Sequence, residues 1–173
     1  MTRPDQPGPA VVLRLAGAQA LAQGHRMLDS AALELAAGAE GIGHDEVVAA
    51  VQALRDDGSV NVRFYGDSLI AILRLTEAGV DRWLAAEGWD MEQVEREVVA
   101  VLRAEAAAGR LGDELDLAAA LGRPPLVVET VLERLRRRGE VVYNPVRRQR
   151  VRVHRIATVP SQVPERSDRP NPT

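Results

Sequence analysis

The sequence contains no cysteine and no lysine, and its aromatic residues are two tryptophans, two tyrosines and one phenylalanine. The absence of cysteine excludes disulfides, thiolate catalysis and cysteine-based metal sites. The absence of lysine excludes a Walker-type phosphate loop and Schiff-base chemistry, because both need its amine. No apolar run approaches the roughly 18 residues of a membrane span. The N-terminus MTRPDQPGP lacks the apolar core of a signal peptide, so we expect a cytoplasmic protein without a membrane partner.

The composition favours a helical protein with some strand. Hydrophobic residues make up 46% of the 173 positions, and alanine, leucine and valine dominate them. This length allows one ordinary domain or two small ones. All 22 basic residues are arginine, which the codon bias of a GC-rich genome explains without any functional cause. Charge is unevenly distributed, because residues 1–89 carry a net charge of −5 and residues 90–173 carry +2.

The chain contains an internal repeat between two proline-rich ends. Three prolines in residues 1–9 and four in residues 157–173 predict disordered tails. Apolar and glycine positions that begin near Leu33 recur in a second segment that begins near Leu115. The matched positions are Val47, Val51, Leu54, Gly58 and Val60 in the first segment and Val128, Leu132, Leu135, Gly139 and Val141 in the second. We therefore predict a duplicated unit, with domains at residues 10–88 and 90–156.

Both units show the same predicted order of elements. The first unit has helical patterns at residues 10–23, 30–37 and 45–57, followed by the strands SVNVRFY and LIAILRL and a closing helix capped by Thr76. The second has helical patterns at residues 90–108, 114–121 and 126–138, with Asp90 and Gln93 as a capping box. Strands at residues 140–143 and 150–156 complete it. The predicted fold class is mainly α with small β-hairpins (α+β), arranged as two tandem domains.

This order of helices and hairpin resembles the winged helix-turn-helix superfamily, twice over, across residues 10–156. The phrase LRLTEAG, at residues 73–79, is similar to the segment that follows the wing in many bacterial regulators of the MarR and PadR type. The resemblance implies that the third helix of a unit enters the major groove of DNA while the hairpin, or wing, touches the backbone. Winged helices also serve as protein-interaction modules, so the fold alone does not choose between these functions.

A basic segment covers the end of the second unit's third helix and its wing. Residues 135–155 hold eight arginines and one carboxylate, Glu140. If Val128, Leu132 and Leu135 face inward, the opposite side of the helix carries Leu126, Thr130, Glu133 and Arg137, with Arg134 on its flank. Arginines on this helix would reach base edges, and arginines on the wing would neutralise phosphates. The predicted DNA-binding residues are Thr130, Arg134, Arg137, Arg138, Arg147, Arg148, Arg150 and Arg152. Alternatively, Arg136, Arg137 and Arg138 only stabilise the negative C-terminus of their helix.

The first unit has the opposite electrostatic character. Its third helix is predicted to expose Asp45, Ala49, Gln52 and Asp56, which would repel phosphate. Dimerisation or binding of a protein partner is the simplest function for this acidic unit. Arg63 and Tyr65 on the first hairpin remain candidates for minor contacts with DNA.

Other chemistry has little support in the sequence. His25, His44 and His154 lack the spacing of a metal site, and no catalytic carboxylate pair is recognisable. We therefore expect a bacterial DNA-binding protein, neither an enzyme nor a cofactor carrier, that regulates transcription through double-stranded DNA and forms a homodimer or binds a partner through its first unit. The alternative is a non-enzymatic scaffold of the tandem winged-helix type, similar in length and layout to subunits of bacterial chromosome-segregation complexes.

Overall fold

The computed structural model describes residues 8–66, 69–110 and 112–142, together with the backbone of residues 152–153. The described residues form seven helices, numbered here in chain order: α1 (Gly8–Gln23), α2 (Ser30–Ala39), α3 (His44–Asp56), α4 (Glu77–Ala86), α5 (Met91–Ala107), α6 (Glu114–Leu121) and α7 (Pro125–Arg137). Their strands are β1 (Met27–Leu28), β2 (Val60–Tyr65), β3 (Leu69–Leu75), β4 (Val141–Val142) and β5 (Arg152–Val153). The protein is therefore mainly helical with small antiparallel sheets, as predicted.

The ends of the chain differ from the prediction at one point. The N-terminal tail was expected to extend through residue 9, but α1 already begins at Gly8. Residues 1–7 and 157–173, the remainder of the predicted tails, lie outside the described residues.

The first sheet has three strands, whereas the sequence pattern predicted a two-stranded hairpin. Its order is β1-β3-β2, and both pairings are antiparallel. The additional strand β1 has only two residues, too few for an alternating pattern to reveal it. Val60 lies opposite Leu75 and Val62 lies opposite Leu73 on the face that packs against the helices. A β-bulge after Arg63 shifts the register before the strands reach the turn.

The LTEAG segment anchors α4 on the beginning of β2. Thr76 caps the helix, because its hydroxyl accepts a hydrogen bond from the Gly79 amide at 3.0 Å. The same hydroxyl lies 2.6 Å from the Gly58 carbonyl and 3.0 Å from the Ser59 carbonyl. A Cβ atom at Gly79 would lie 2.0 Å from the Ser59 carbonyl oxygen. The motif therefore combines a helix cap with a close backbone contact that only glycine permits.

The second half repeats the order of three helices and a hairpin, with β4 and β5 as the hairpin strands. Asp90 caps α5, because its carboxylate accepts a hydrogen bond from the Gln93 amide at 2.9 Å. The Gln93 side chain instead donates to Glu97 at 3.1 Å, so the predicted capping box forms only in part. Pro125 occupies the first turn of α7, where its missing N–H costs nothing.

Buried apolar residues of both halves form one continuous cluster. Helices α5 and α6 pack against α7, and α7 also contacts α1 and α4 of the first half. Trp83, on α4, is buried and Trp89 is partly buried against the same cluster, so both tryptophans are packing residues. The division into two separate domains stays a prediction, because the core is shared.

The connector between the halves is held by several contacts, which leads to a prediction about proteolysis. The Trp89 amide donates to the Leu84 carbonyl at 2.9 Å, and Asp90 caps the next helix. Proteolytic cleavage needs local opening of the backbone. We expect limited digestion with subtilisin, followed by mass spectrometry, to leave Gly88 to Asp90 intact while the protein stays folded. Early cleavage there, before cleavage elsewhere, would contradict a rigid connection.

Candidate nucleic-acid interface

Helix α7 is buried around most of its circumference. Its residues Leu126, Val127, Val128, Thr130, Val131, Leu132 and Leu135 are all fully buried. One side packs against α5 and α6, and the other reaches α1 and α4. The predicted recognition helix therefore lies between the two halves.

The expectation that Leu126, Thr130 and Glu133 form an exposed face is wrong. Thr130 has no exposed surface, and its hydroxyl donates to the Leu126 carbonyl within the helix at 2.8 Å. Glu133 is 8% exposed. The physical reason is that a helix apolar on several sides buries more than one of them. In this arrangement Thr130 is not accessible to a DNA duplex.

Two arginines of α7 are neutralised by carboxylates of α4. A nitrogen of Arg134 lies 2.7 Å from Asp81, with the two side chains 24% and 33% exposed. Arg137 forms an ion pair with Glu77. These pairs connect the two halves of the chain, and they oppose binding of the same arginines to an anionic ligand.

The next arginines are also paired. A nitrogen of Arg136 lies 2.6 Å from Glu133 on the same helix. Arg138 lies 2.5 Å from both Glu95 and Glu140, and its hydrogen bond to Glu95 raises its pKa further above the ordinary value. All four arginines between residues 134 and 138 therefore form ion pairs within the protein, which is more than the helix-dipole alternative requires.

The predicted wing contacts fall largely outside the described residues. This holds for Arg147, Arg148 and Arg150, and for the whole loop that follows β4. The backbone of Arg152 is described, and it pairs with Val142 in the hairpin. The phosphate-binding function of these four arginines stays a prediction.

The acidic face of the first half is present as predicted. Asp45, Ala49, Gln52 and Asp56 are all exposed along α3. A side-chain nitrogen of Arg55, on the same helix, lies 2.9 Å from a carboxylate oxygen of Asp56, so the positive charge of Arg55 is neutralised. Neither third helix therefore presents a free basic face.

A buried ionic cluster that the sequence did not reveal lies where the halves meet. A nitrogen of Arg26 lies 3.5 Å from Glu129 of α7, and their side chains are 9% and 18% exposed. At that distance the contact is an ion pair without a direct hydrogen bond. Burial raises the pKa of Glu129; Arg26 opposes this rise, and the nearby Glu133 and Glu114 add to it.

Protein-family models, curated proteins and solved structures offer no match to this chain. Within the described residues there is also no group of three potential metal-ligating side chains. His44 lies 3.1 Å from Glu34, which leaves it as a surface partner of that carboxylate. No helix in the described part of the chain is long and apolar enough to cross a membrane.

Two arginines of the first sheet contrast with those of α7. Arg63 on β2 and Arg74 on β3 are exposed, and neither side chain forms an ion pair or hydrogen bond with a described residue. The sequence interpretation gave Arg63 only a minor part and did not single out Arg74. The strand register places both arginines on the same face of the sheet. The alternating sequence pattern alone could not show which face of the sheet packs against the helices.

Proposed function

We propose that this chain is a non-enzymatic protein-interaction protein built from two tandem winged-helix units, at residues 10–88 and 90–156. The order of three helices and a hairpin, present in each half, supports the winged-helix assignment. The shared core supports a rigid body in which the two halves keep a fixed position relative to each other.

The observation that carries this proposal is the burial of α7 between the halves. A winged helix that reads DNA places its third helix in the major groove, with side chains free to reach base edges. Here Thr130 is buried, and Arg134 and Arg137 are paired with α4 carboxylates. Exposing α7 would separate apolar surfaces and break these pairs, so the helix functions as part of an internal interface.

Transcriptional regulation through double-stranded DNA is the second candidate, and the basic segment favours it. Three of its eight arginines form ion pairs within the protein. Arg136 and Arg138 pair with carboxylates of the second half, and Arg137 pairs with Glu77 of the first half. Arg147, Arg148, Arg150 and Arg152 follow Glu140 without another carboxylate up to residue 155. They would bind phosphates without sequence discrimination, while the acidic first unit would dimerise or recruit a partner.

Binding of the full chain to duplexes of varied sequence, measured by fluorescence anisotropy across a salt series, tests both candidates. We expect no discrimination between sequences. The salt dependence of DNA affinity should come from the wing arginines. Arg147→Ala/Arg148→Ala/Arg150→Ala should therefore reduce the slope of log binding constant against log salt concentration by about 2 to 3. For each phosphate contact that is lost, roughly one counterion fewer is released when the protein binds DNA.

The matched control removes the same charge elsewhere, with Arg55→Ala/Arg96→Ala/Arg110→Ala, and should leave the slope nearly unchanged. Arg134→Ala/Arg137→Ala should not alter discrimination, because these side chains face α4. Sequence-specific binding that this double variant abolishes, with the helical circular dichroism intact, would overturn the interaction proposal in favour of DNA reading by α7.

A further inference from the structure

No described residue covers the outer face of the three-stranded sheet, which combines apolar with basic side chains. Tyr65 and Leu69 lie directly opposite each other on β2 and β3, and they are 70% and 58% exposed. Arg63 lies opposite Ile72, which is 44% exposed. Because directly opposed residues of an antiparallel pair lie on the same side of the sheet, these four side chains share one face.

The third row of this face extends it to the edge strand β1. Arg74 lies opposite both Asn61 and Met27, and Met27 is 47% exposed. The alternate positions of these strands point the other way and are buried or partly buried, including Leu28, Ile70 and Leu73. The bulge after Arg63 keeps Leu69 on the outer side with Tyr65. We call this surface, made of Met27, Asn61, Arg63, Tyr65, Leu69, Ile72 and Arg74, the outer sheet face.

The described residues of the second half leave the outer sheet face open. They meet the first half mainly through the contacts of α7 with α1 and α4, and both of these helices contact β3. Four large apolar or aromatic side chains on one small sheet are more than scattered surface exposure, and grouped exposure of this kind marks interaction sites. Tyrosine, methionine and arginine are also residue types enriched at protein interfaces.

Charge identifies the partner. Arg63 and Arg74 have no carboxylate within ion-pairing distance in the described chain, although Arg74 lies close enough to lower the pKa of Glu129. A second copy placed face to face would bring arginines against arginines without an acidic residue among the face's seven members. A nucleic acid would find one aromatic ring for stacking among mostly aliphatic side chains.

We propose that the outer sheet face docks a segment of a protein partner that carries large apolar side chains flanked by aspartate or glutamate. This inference rests on the proposed function and specifies the partner's chemistry. The apolar side chains of the partner cover Met27, Leu69 and Ile72, and its carboxylates pair with Arg63 and Arg74. Pairs of this kind supply specificity and fast association as well as affinity.

Selection of a random peptide library displayed on phage, with the folded full chain as bait, tests this proposal. Enriched sequences should combine acidic and large apolar residues. Synthetic copies of them should bind the wild type at least about tenfold more tightly than Arg63→Glu/Arg74→Glu, and also more tightly than Ile72→Asp. Both variants change exposed positions, and circular dichroism should confirm that each folds.

The control Arg96→Glu reverses an exposed arginine on α5 and should bind the peptides as the wild type does. The proposal is overturned if no acidic, apolar family is enriched, or if the enriched peptides bind wild type and sheet variants equally. Tighter binding of single-stranded DNA that Tyr65→Ala abolishes would identify a nucleic-acid surface instead, and a dimer dissolved by Ile72→Asp would identify a second copy as the occupant. Failure here, without sequence-specific DNA binding that depends on Arg134 and Arg137, would leave the proposed function standing, because the two measurements are independent.

Discussion

Gly79→Ala is expected to lower the free energy of unfolding by about 3 kcal/mol, the upper range for forcing extra volume into a packed site. The added Cβ would lie 2.0 Å from the carbonyl oxygen of Ser59 and 2.8 Å from its carbonyl carbon. Both are backbone atoms, so no side-chain rotation relieves the clash. Either α4 must move away from β2 or the cap at Thr76 must break, and α4 also carries the carboxylates that bind α7.

Gly38→Ala is the matched control, because Gly38 is also helical but a Cβ there meets nothing within 4 Å. Replacing an exposed helical glycine by alanine stabilises a protein by up to about 1 kcal/mol, so the two substitutions should have opposite signs. Urea denaturation followed by circular dichroism measures both. Equal effects would show that the contact between α4 and Ser59 tolerates a methyl group and that the LTEAG segment has no anchoring function.

Local signals predicted most of the helices and strands. The observed α6 coincides with the predicted 114–121, and α3 begins and ends within one residue of the predicted bounds. Caps explain this accuracy: Asp29, Thr76 and Asp113 each accept hydrogen bonds from the first turn of their helix, and glycine ends several others. These interactions involve residues close in sequence, so the sequence alone reveals them.

The environment of α7 could not be predicted in the same way. Its partners lie far away in sequence, since Arg134 and Asp81 are 53 positions apart and Arg137 and Glu77 are 60 apart. A helical wheel identifies the apolar side but not which other element covers the remainder. One signal was present: between Leu126 and Leu132 only Glu129 is charged, a pattern typical of a helix buried on more than one side.

The exposed acidic face of α3 shows the converse. Its apolar stripe is confined to Val47, Val51 and Leu54, with Val48 and Ala50 beside it, and the opposite positions are polar or small. A helix with one apolar side packs on one side only, so its exposed residues followed directly from the period of 3.6. The prediction of exposed residues therefore succeeded for α3, which has one apolar side, and failed for α7, which is apolar on several sides. The similarity of the two units did not decide the outcome.

Arg26→Met is expected to destabilise the protein by about 3 kcal/mol at pH 8, because removing one member of a buried ion pair leaves the other charge uncompensated. Methionine retains an unbranched apolar side chain of similar length, so packing changes little. The side chain of Glu129 is only 18% exposed, and Glu133 and Glu114 already disfavour its ionised form. Arg74 lies close enough to lower the pKa of Glu129, and it remains to offset part of the loss.

The double variant Arg26→Met/Glu129→Leu should recover most of the lost stability. Replacing a whole buried ion pair by apolar residues of similar volume is often neutral or stabilising. Thermal or urea denaturation of the wild type, the single variant and the double variant measures the coupling between the two side chains. Destabilisation in the double variant as large as in the single one would show that Arg26 acts through packing and not through Glu129.

The loss in Arg26→Met should depend on pH with a definite sign. Burial already raises the folded-state pKa of Glu129 above its ordinary value of 4.5, and removal of Arg26 raises that pKa further. The folded state then binds more protons than the unfolded state across the window between the ordinary and the raised pKa, so stability falls as pH rises through it. The variant should therefore approach wild-type stability near the acidic end of this window and lose most at the alkaline end. If the loss of stability stays constant between these limits, the effect of Arg26 does not depend on the ionisation of Glu129. The ionic cluster would then not be what stabilises the contact between the halves.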